Sequence, residues 1–103
     1  IGTALEIDNG AIRVAGTNRS AFTHTATVAN KANNYTTIDH PLCNSDPNCL
    51  LFVTHKFNPL TGTYNNSPIG VFYDTISNKW GIFNENSNSI ANDSQFNVLV
   101  IKQ

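Results

Sequence analysis

Residues 67–83 read SPIGVFYDTISNKWGIF, and this stretch decides the fold class. Over 69–74 an extended chain places Ile, Val and Tyr on one face and Gly and Phe on the other, and 80–84 alternates in the same way. A period of two residues is typical of β-strands. The polar run between the two segments suits a turn. The stretch therefore predicts two short strands, and nothing in it predicts a reaction.

Strand patterns continue along the rest of the chain. Residues 21–29 alternate strictly between Thr and less polar side chains, which predicts a half-buried strand, and 35–39 is a shorter candidate. Residues 49–57 and 96–102 are apolar on both faces, so we expect them in the middle of a sheet. With the two candidates near the N-terminus there are eight strands and no helical period. This predicts one all-β domain over 1–103, an antiparallel two-sheet sandwich or jelly roll, with a small barrel as the alternative.

The first 16 residues form a separate apolar segment. Asn9 and Gly10 suit a type I′ turn, in which both central residues have positive φ, so the sequence predicts a hairpin. The rival interpretation is an extended strand that is exchanged with a neighbouring subunit. In the hairpin the apolar residues share one face, and in the exchanged strand they would be the inserted residues: Leu5, Ile7, Ile12 and Val14.

Composition limits the class of partner. Charged residues make up 13% of the chain, the net charge is -1, and Asn, Thr and Ser together supply about a third of the residues. A surface without a basic patch does not favour nucleic acid. No apolar run approaches the roughly 20 residues that a membrane-spanning helix needs. We therefore expect neither a nucleic-acid partner nor a membrane span.

The two cysteines and the N-terminus indicate the compartment. Cys43 and Cys49 flank the turn-forming run NSDPN, a loop that can close a disulfide. The chain begins at Ile1 and contains no Met, which is expected of an exported protein whose signal segment has been removed. These features predict an extracellular or cell-surface protein with a Cys43–Cys49 disulfide.

Three motifs occur in order in the second half: PIGVFYD, KWGIF followed by Asn84 and Glu85, and QFNVLV. Together with THTATVAN and LFVTHKFNP they resemble an uncharacterised domain family of secreted bacterial proteins. The resemblance runs from about Phe22 to Ile101 and leaves the first 20 residues outside. It implies a secreted all-β module, and it implies no catalytic or binding residue.

Catalytic and metal-binding patterns are weak. His24, His40 and His55 are the candidate bases near neutral pH, but no G-x-S-x-G or comparable elbow accompanies them. Two of them, His24 and His55, share strand faces with apolar residues, which favours hydrogen-bonded structural histidines. The seven carboxylates form no pair, and no EF-hand pattern occurs. We expect no enzyme activity, no catalytic residue, no cofactor and no metal site.

Two functions therefore compete. The first is a structural protein that assembles with copies of itself into a filament or surface layer, with the N-terminal residues Leu5, Ile7, Ile12 and Val14 inserted by strand addition. The alternative is a lectin-like module that binds carbohydrate with its Asn-rich loops. The candidate ligand-binding residues in those loops are Tyr64, Asn65, Asn66 and Asn86.

Overall fold

The computed structural model describes residues 2–103, and this part of the chain contains seven β-strands and no helix. The strands are β1 (Ala21–Thr25), β2 (Lys31–Ala32), β3 (Tyr35–Ile38), β4 (Leu50–Lys56), β5 (Ile69–Asp74), β6 (Lys79–Asn84) and β7 (Gln95–Ile101). With no helix present, residues 2–103 hold none long and apolar enough to cross a membrane.

The strands form two antiparallel sheets. The three-stranded sheet has the order β1-β7-β4, and the four-stranded sheet has the order β2-β3-β6-β5. β5 and β6 pair along their whole length from Ile69–Asn84 to Asp74–Lys79. The hairpin predicted from residues 67–83 is thus confirmed, and its turn closes with Asn78 N donating to Asp74 O at 2.8 Å.

The core lies between the inner faces of the two sheets. β7 contributes every second residue to it, and β3 and β6 contribute the facing side chains. Trp80 packs at its margin, where its Nε1 donates to the Asp46 carbonyl at 2.9 Å. The buried members of the core cluster are Ile38, Cys43, Cys49, Ile82, Phe96, Val98 and Val100.

Two sheets of three and four strands confirm the predicted two-sheet sandwich. The small-barrel alternative is wrong, because the sheets are separate and both have open edges. The central position predicted for 96–102 is confirmed by β7. The central position predicted for 49–57 is wrong, because β4 pairs with β7 alone and lies at the edge of its sheet.

The predicted strand over 21–29 is shorter than its alternating pattern. β1 ends at Thr25, and Val28 is exposed in a turn. Asn30 causes the ending, because its Oδ1 accepts from Thr27 N at 2.8 Å and its Nδ2 donates to Thr25 O at 3.0 Å. A side chain that satisfies the backbone in this way competes with the continuation of a strand.

The predicted N-terminal hairpin does not form. Residues 2–19 contain no strand and no backbone hydrogen bond to one another. Gly10 has a φ of 112°, but Asn9 does not have the positive φ that a type I′ turn requires. An isolated two-stranded hairpin is marginal in water, and no strand of either sheet pairs with these residues. Residues 2–20, called the arm below, are irregular and mostly exposed.

Candidate functional site

The outer face of the three-stranded sheet is apolar at one end. Alternation turns every second residue of β4 and β7 away from the core, and register places Phe52 opposite Leu99 and Leu50 opposite Ile101. All four are exposed, Phe52 by 57% and Leu50 by 41%. Leu50, Phe52, Leu99 and Ile101 are called the apolar face below.

The other end of the same surface is polar. The next row of the sheet contains Thr23, Asn97 and Thr54, and Asn97 Nδ2 donates to Thr54 Oγ1 at 3.2 Å. Lys56 Nζ donates to Gln95 Oε1 at 3.2 Å one row further on. The apolar face is therefore a bounded patch with a polar border, and a patch of this kind is typical of interaction sites.

The arm passes beside the apolar face. Ile12, Val14 and Arg19 of the arm line a groove of about 690 Å³ together with Phe52 and Leu99 of the sheet. The groove remains open, because the arm does not close over the sheet. Ile12 is 71% exposed, and Leu5, nearer the N-terminus, is 73% exposed.

The edge of β4 offers unpaired backbone groups. Val100 N donates to Ser20 O at 2.8 Å, so the even-numbered residues of β7 point their backbone groups toward β1. The odd-numbered residues of β7 therefore point their backbone groups toward β4. There Leu99 pairs with Phe52, and the other odd-numbered residues of β7 pair with the even-numbered residues of β4. The remaining β4 groups point outward, and within residues 2–103 no backbone group bonds to them. They belong to Leu51, Val53 and His55.

Sequence reasoning missed the apolar face because it interpreted a strand with two apolar faces as a central strand. The signal was present in β4, where Leu50 and Phe52 alternate with Leu51 and Val53. Both sets were expected in the interior. The structure packs Leu51 and Val53, half-buried, against the core and exposes Leu50 and Phe52.

The four loop residues predicted to bind carbohydrate do not share one surface role. Tyr64 is exposed, and its ring centroid lies 5.8 Å from that of His55. Asn65 is buried, and its Nδ2 donates to Asn84 Oδ1 at 2.8 Å, so this amide supports the loop. Asn66 and Asn86 are exposed. Carbohydrate binding by these loops stays a prediction.

Cys43 and Cys49 are separate thiols in the structure, although both lie in the core cluster. Each Sγ lies against a nearby backbone carbonyl: Cys43 Sγ is 3.7 Å from His40 O and Cys49 Sγ is 3.3 Å from Asp46 O. Burial raises the pKa of the Cys43 thiol to about 11. The predicted disulfide is therefore not formed in this structure, and both cysteines fill core volume.

Two of the histidines are hydrogen-bonded within the fold, as their positions on strand faces predicted. His24 Nε2 is hydrogen-bonded to Thr36 Oγ1 at 2.9 Å, and His55 Nε2 donates to the Ser67 carbonyl at 2.7 Å. His40 stacks on Phe22 with ring centroids 4.2 Å apart. In the part of the chain that the structure describes, no three His, Cys, Asp or Glu side chains converge in a way that could hold a metal ion.

Comparison with family models gives a match over residues 7–100 to the model described as a domain of unknown function, DUF7452. The chain belongs to this family. The expectation of an uncharacterised domain family is thereby confirmed, but the DUF7452 match begins at residue 7, earlier than the resemblance that started near Phe22. Most of the arm is thus part of the DUF7452 domain. Searches of curated proteins and of solved structures found no significant match.

Proposed function

We propose that this DUF7452 domain is an extracellular structural protein that assembles with copies of itself, through β-strand contacts, into a filament or surface layer. The observation that supports the proposal is that one chain presents both an apolar arm and an apolar sheet face, each with four apolar side chains. In the assembly, the arm of one copy covers the apolar face of the next. The resemblance to secreted modules supports the extracellular placement.

The arm has the spacing that such a contact needs. In an extended conformation Leu5 and Ile7 point to one side and Glu6 to the other, and Ile12 and Val14 repeat the arrangement around Arg13. The apolar face presents its side chains at the same two-residue spacing in Leu50 and Phe52. Once the arm is extended, its side chains and those of the apolar face have the same period and can interdigitate.

The open edge of β4 can add main-chain hydrogen bonds to this contact. Its outward groups at Leu51, Val53 and His55 are arranged as a strand that lacks a neighbour. An extended peptide that pairs with such an edge gains affinity from the backbone and specificity from alternate side chains. An arm paired there would bring its apolar side chains next to Leu50 and Phe52.

The free energies of burial and association favour a contact made by many side chains over a contact made by one. Full burial of one Leu, Ile or Phe side chain contributes roughly 1.5–3 kcal/mol. Association costs roughly 4–15 kcal/mol in lost freedom of motion. One buried side chain is therefore insufficient, whereas the arm and the apolar face together offer eight. A net charge of -1 adds little repulsion between copies.

Sedimentation velocity and negative-stain electron microscopy of the full chain test this proposal. We expect ordered polymers, and we expect Phe52→Asp and Ile7→Asp each to abolish them. Leu60→Asp is the matched control, because Leu60 is 92% exposed but lies in neither the arm nor the apolar face. A strictly monomeric wild-type chain whose stability survives deletion of residues 1–16 would overturn the proposal. Polymers unaffected by Phe52→Asp would do so too.

A further inference from the structure

The outer face of the four-stranded sheet carries three aromatic rings that belong to neither the core nor the apolar face. Register places Tyr35 of β3 beside Phe83 of β6, and Phe72 of β5 lies opposite Gly81 in the adjacent row. All three side chains are half-buried. Phe72 makes edge-to-face contacts with both others, at centroid distances of 5.6 Å to Tyr35 and 5.8 Å to Phe83.

Two glycines let the rings lie across the sheet. A Cβ on Gly81 would come within 2.6 Å of the Phe72 ring, and a Cβ on Gly70 would come within 2.7 Å of the Phe83 ring. Each ring therefore occupies the space above a glycine in the neighbouring strand. The three rings form a fixed aromatic surface, since each ring is held by another ring and two also by a glycine.

Polar groups surround this surface. A groove of about 440 Å³ is lined by the three rings with Asn34 and Asp74. A second groove of about 400 Å³, whose lining includes Thr37, Lys79 and Asp39, shares Tyr35 with it. Tyr35 therefore stands between an aromatic groove and a polar one. Volumes of this order suit small ligands, one sugar unit in each groove.

Several of these polar groups are fixed and available. Asp74 is held by two hydrogen bonds of 2.9 Å, from Ile76 N to Oδ1 and from Ser77 Oγ to Oδ2, and these bonds lower the pKa of its carboxyl. Asn34 Nδ2 donates to the Asn84 carbonyl, which leaves Asn34 Oδ1 as an acceptor. Within residues 2–103 neither the Tyr35 nor the Thr37 hydroxyl has a hydrogen-bond partner.

The charges around the grooves balance. Lys31 and Lys79 supply two positive charges, and Asp39 and Asp74 supply two negative ones. A phosphate or an acidic peptide would need an excess of positive charge, which is absent here. A neutral ligand with hydroxyl groups and an apolar C–H face matches the mixture of rings and balanced polar groups.

We propose that the Tyr35–Phe72–Phe83 surface binds a neutral oligosaccharide, with one sugar ring against the aromatic groove and the next extending over Tyr35 into the polar groove. This site differs from the loops around Tyr64 and is independent of the arm. Sugar C–H groups pack on the rings, while Asp74, Asn34 and the Tyr35 and Thr37 hydroxyls bond to sugar hydroxyls.

The test is an NMR titration of the full chain with four neutral probes: cellotriose, maltotriose, mannotriose and chitotriose. We expect at least one of them to shift the side-chain resonances of Tyr35, Phe72 and Phe83. Tyr35→Leu and Phe72→Leu should each weaken that binding about tenfold or more, because leucine keeps apolar volume but removes the ring face. Tyr64→Leu is the matched control and should leave the affinity unchanged.

Each outcome decides the question. No resonance shift with any of the four probes overturns the proposal. Binding that Tyr64→Leu abolishes and Tyr35→Leu leaves intact also overturns it, and assigns the sugar to the loops. Near-ultraviolet circular dichroism of each variant checks the fold, and Tyr35→Phe, which keeps the ring, should retain most of the affinity.

Discussion

His24 and Thr36 connect the two sheets. The Nε2 of His24 in β1 is hydrogen-bonded to Oγ1 of Thr36 in β3 at 2.9 Å, and Thr36 Oγ1 also lies 2.9 Å from Asn30 Oδ1. This pair joins β1 of the three-stranded sheet to β3 of the four-stranded sheet. Because His24 is buried between the sheets, its neutral form is favoured.

This arrangement predicts loss of stability in acid. Burial lowers the pKa of His24 from 6.5 to about 4. Between these values the unfolded chain binds a proton that the folded chain does not, so the free energy of unfolding falls as the pH is lowered from 6.5 to 4. We expect a loss of about 2–3 kcal/mol from this residue, measured by urea unfolding. His24→Gln should reduce the change in the free energy of unfolding between pH 6.5 and pH 4. An identical pH dependence for variant and wild type would contradict the prediction.

Asn84 is predicted to be the most costly asparagine to replace. It is fully buried, its Nδ2 donates to Asn88 O at 2.9 Å, and its Oδ1 accepts from Asn65 Nδ2 at 2.8 Å. Asn84→Ala would leave both partners without a bond, at a cost of about 2–4 kcal/mol. Asn66→Ala, at an exposed position, should change the free energy of unfolding by less than about 0.5 kcal/mol. If urea unfolding showed the same loss of stability for Asn84→Ala and Asn66→Ala, the predicted importance of the buried Asn84 amide would be contradicted.

Gly81 and Gly70 should differ in their tolerance of alanine. A Cβ on Gly81 meets the Phe72 ring at 2.6 Å and the Thr36 carbonyl oxygen at 3.2 Å, whereas a Cβ on Gly70 meets the Phe83 ring alone. A phenylalanine ring can change its rotamer to make room for a methyl group, whereas a carbonyl oxygen in a paired strand cannot move without disturbing the strand. We expect Gly81→Ala to cost about 1–3 kcal/mol and Gly70→Ala less. Gly2→Ala, with no atom within 4 Å, is the control in thermal unfolding. The prediction fails if Gly81→Ala unfolds at the same temperature as the control.

Cys43 should resist alkylation in the native state. Its pKa is raised from 9.0 to about 11, which lowers the thiolate fraction about a hundredfold at pH 8. Iodoacetamide should therefore modify Cys43 far more slowly in the folded protein than in urea, as followed by peptide mass spectrometry. Rapid native labelling would contradict the buried position. If urea without reductant also gave no labelling of either cysteine, the thiols would be joined in the disulfide that the sequence predicts.

Local patterns predicted those parts of the fold whose partners are close in sequence. The β5–β6 hairpin was predictable because strand alternation and a polar turn coincide within 67–83. β2 was missed because two residues are too few to show a period. The N-terminal hairpin was wrong because Asn9 and Gly10 favour a turn, but a turn alone does not hold two strands together when no further strand pairs with them.

The two surfaces proposed as interaction sites depended on strand order, which no local pattern contains. The position of β4 at a sheet edge, and hence the exposure of Phe52, follows from long-range pairing with β7. The aromatic surface depended on cross-strand register, which puts Gly81 beside Phe72 and Gly70 beside Phe83. Each of these glycines lies two residues before a phenylalanine in its own strand, and that repeated spacing was the available signal.

The pairing of β1 with β7 has a mechanical consequence. β1 begins where β7 ends, with Val100 N bonded to Ser20 O, so both strands leave the sandwich at the same end. Tension applied between Ser20 and Ile101 would peel the two strands apart one hydrogen bond at a time. The whole ladder would never be strained at once, as it is when strands are sheared. The domain should therefore yield at low force along this line. An assembly of the proposed kind would have to carry tension through the contacts between copies and not through the β1–β7 pair.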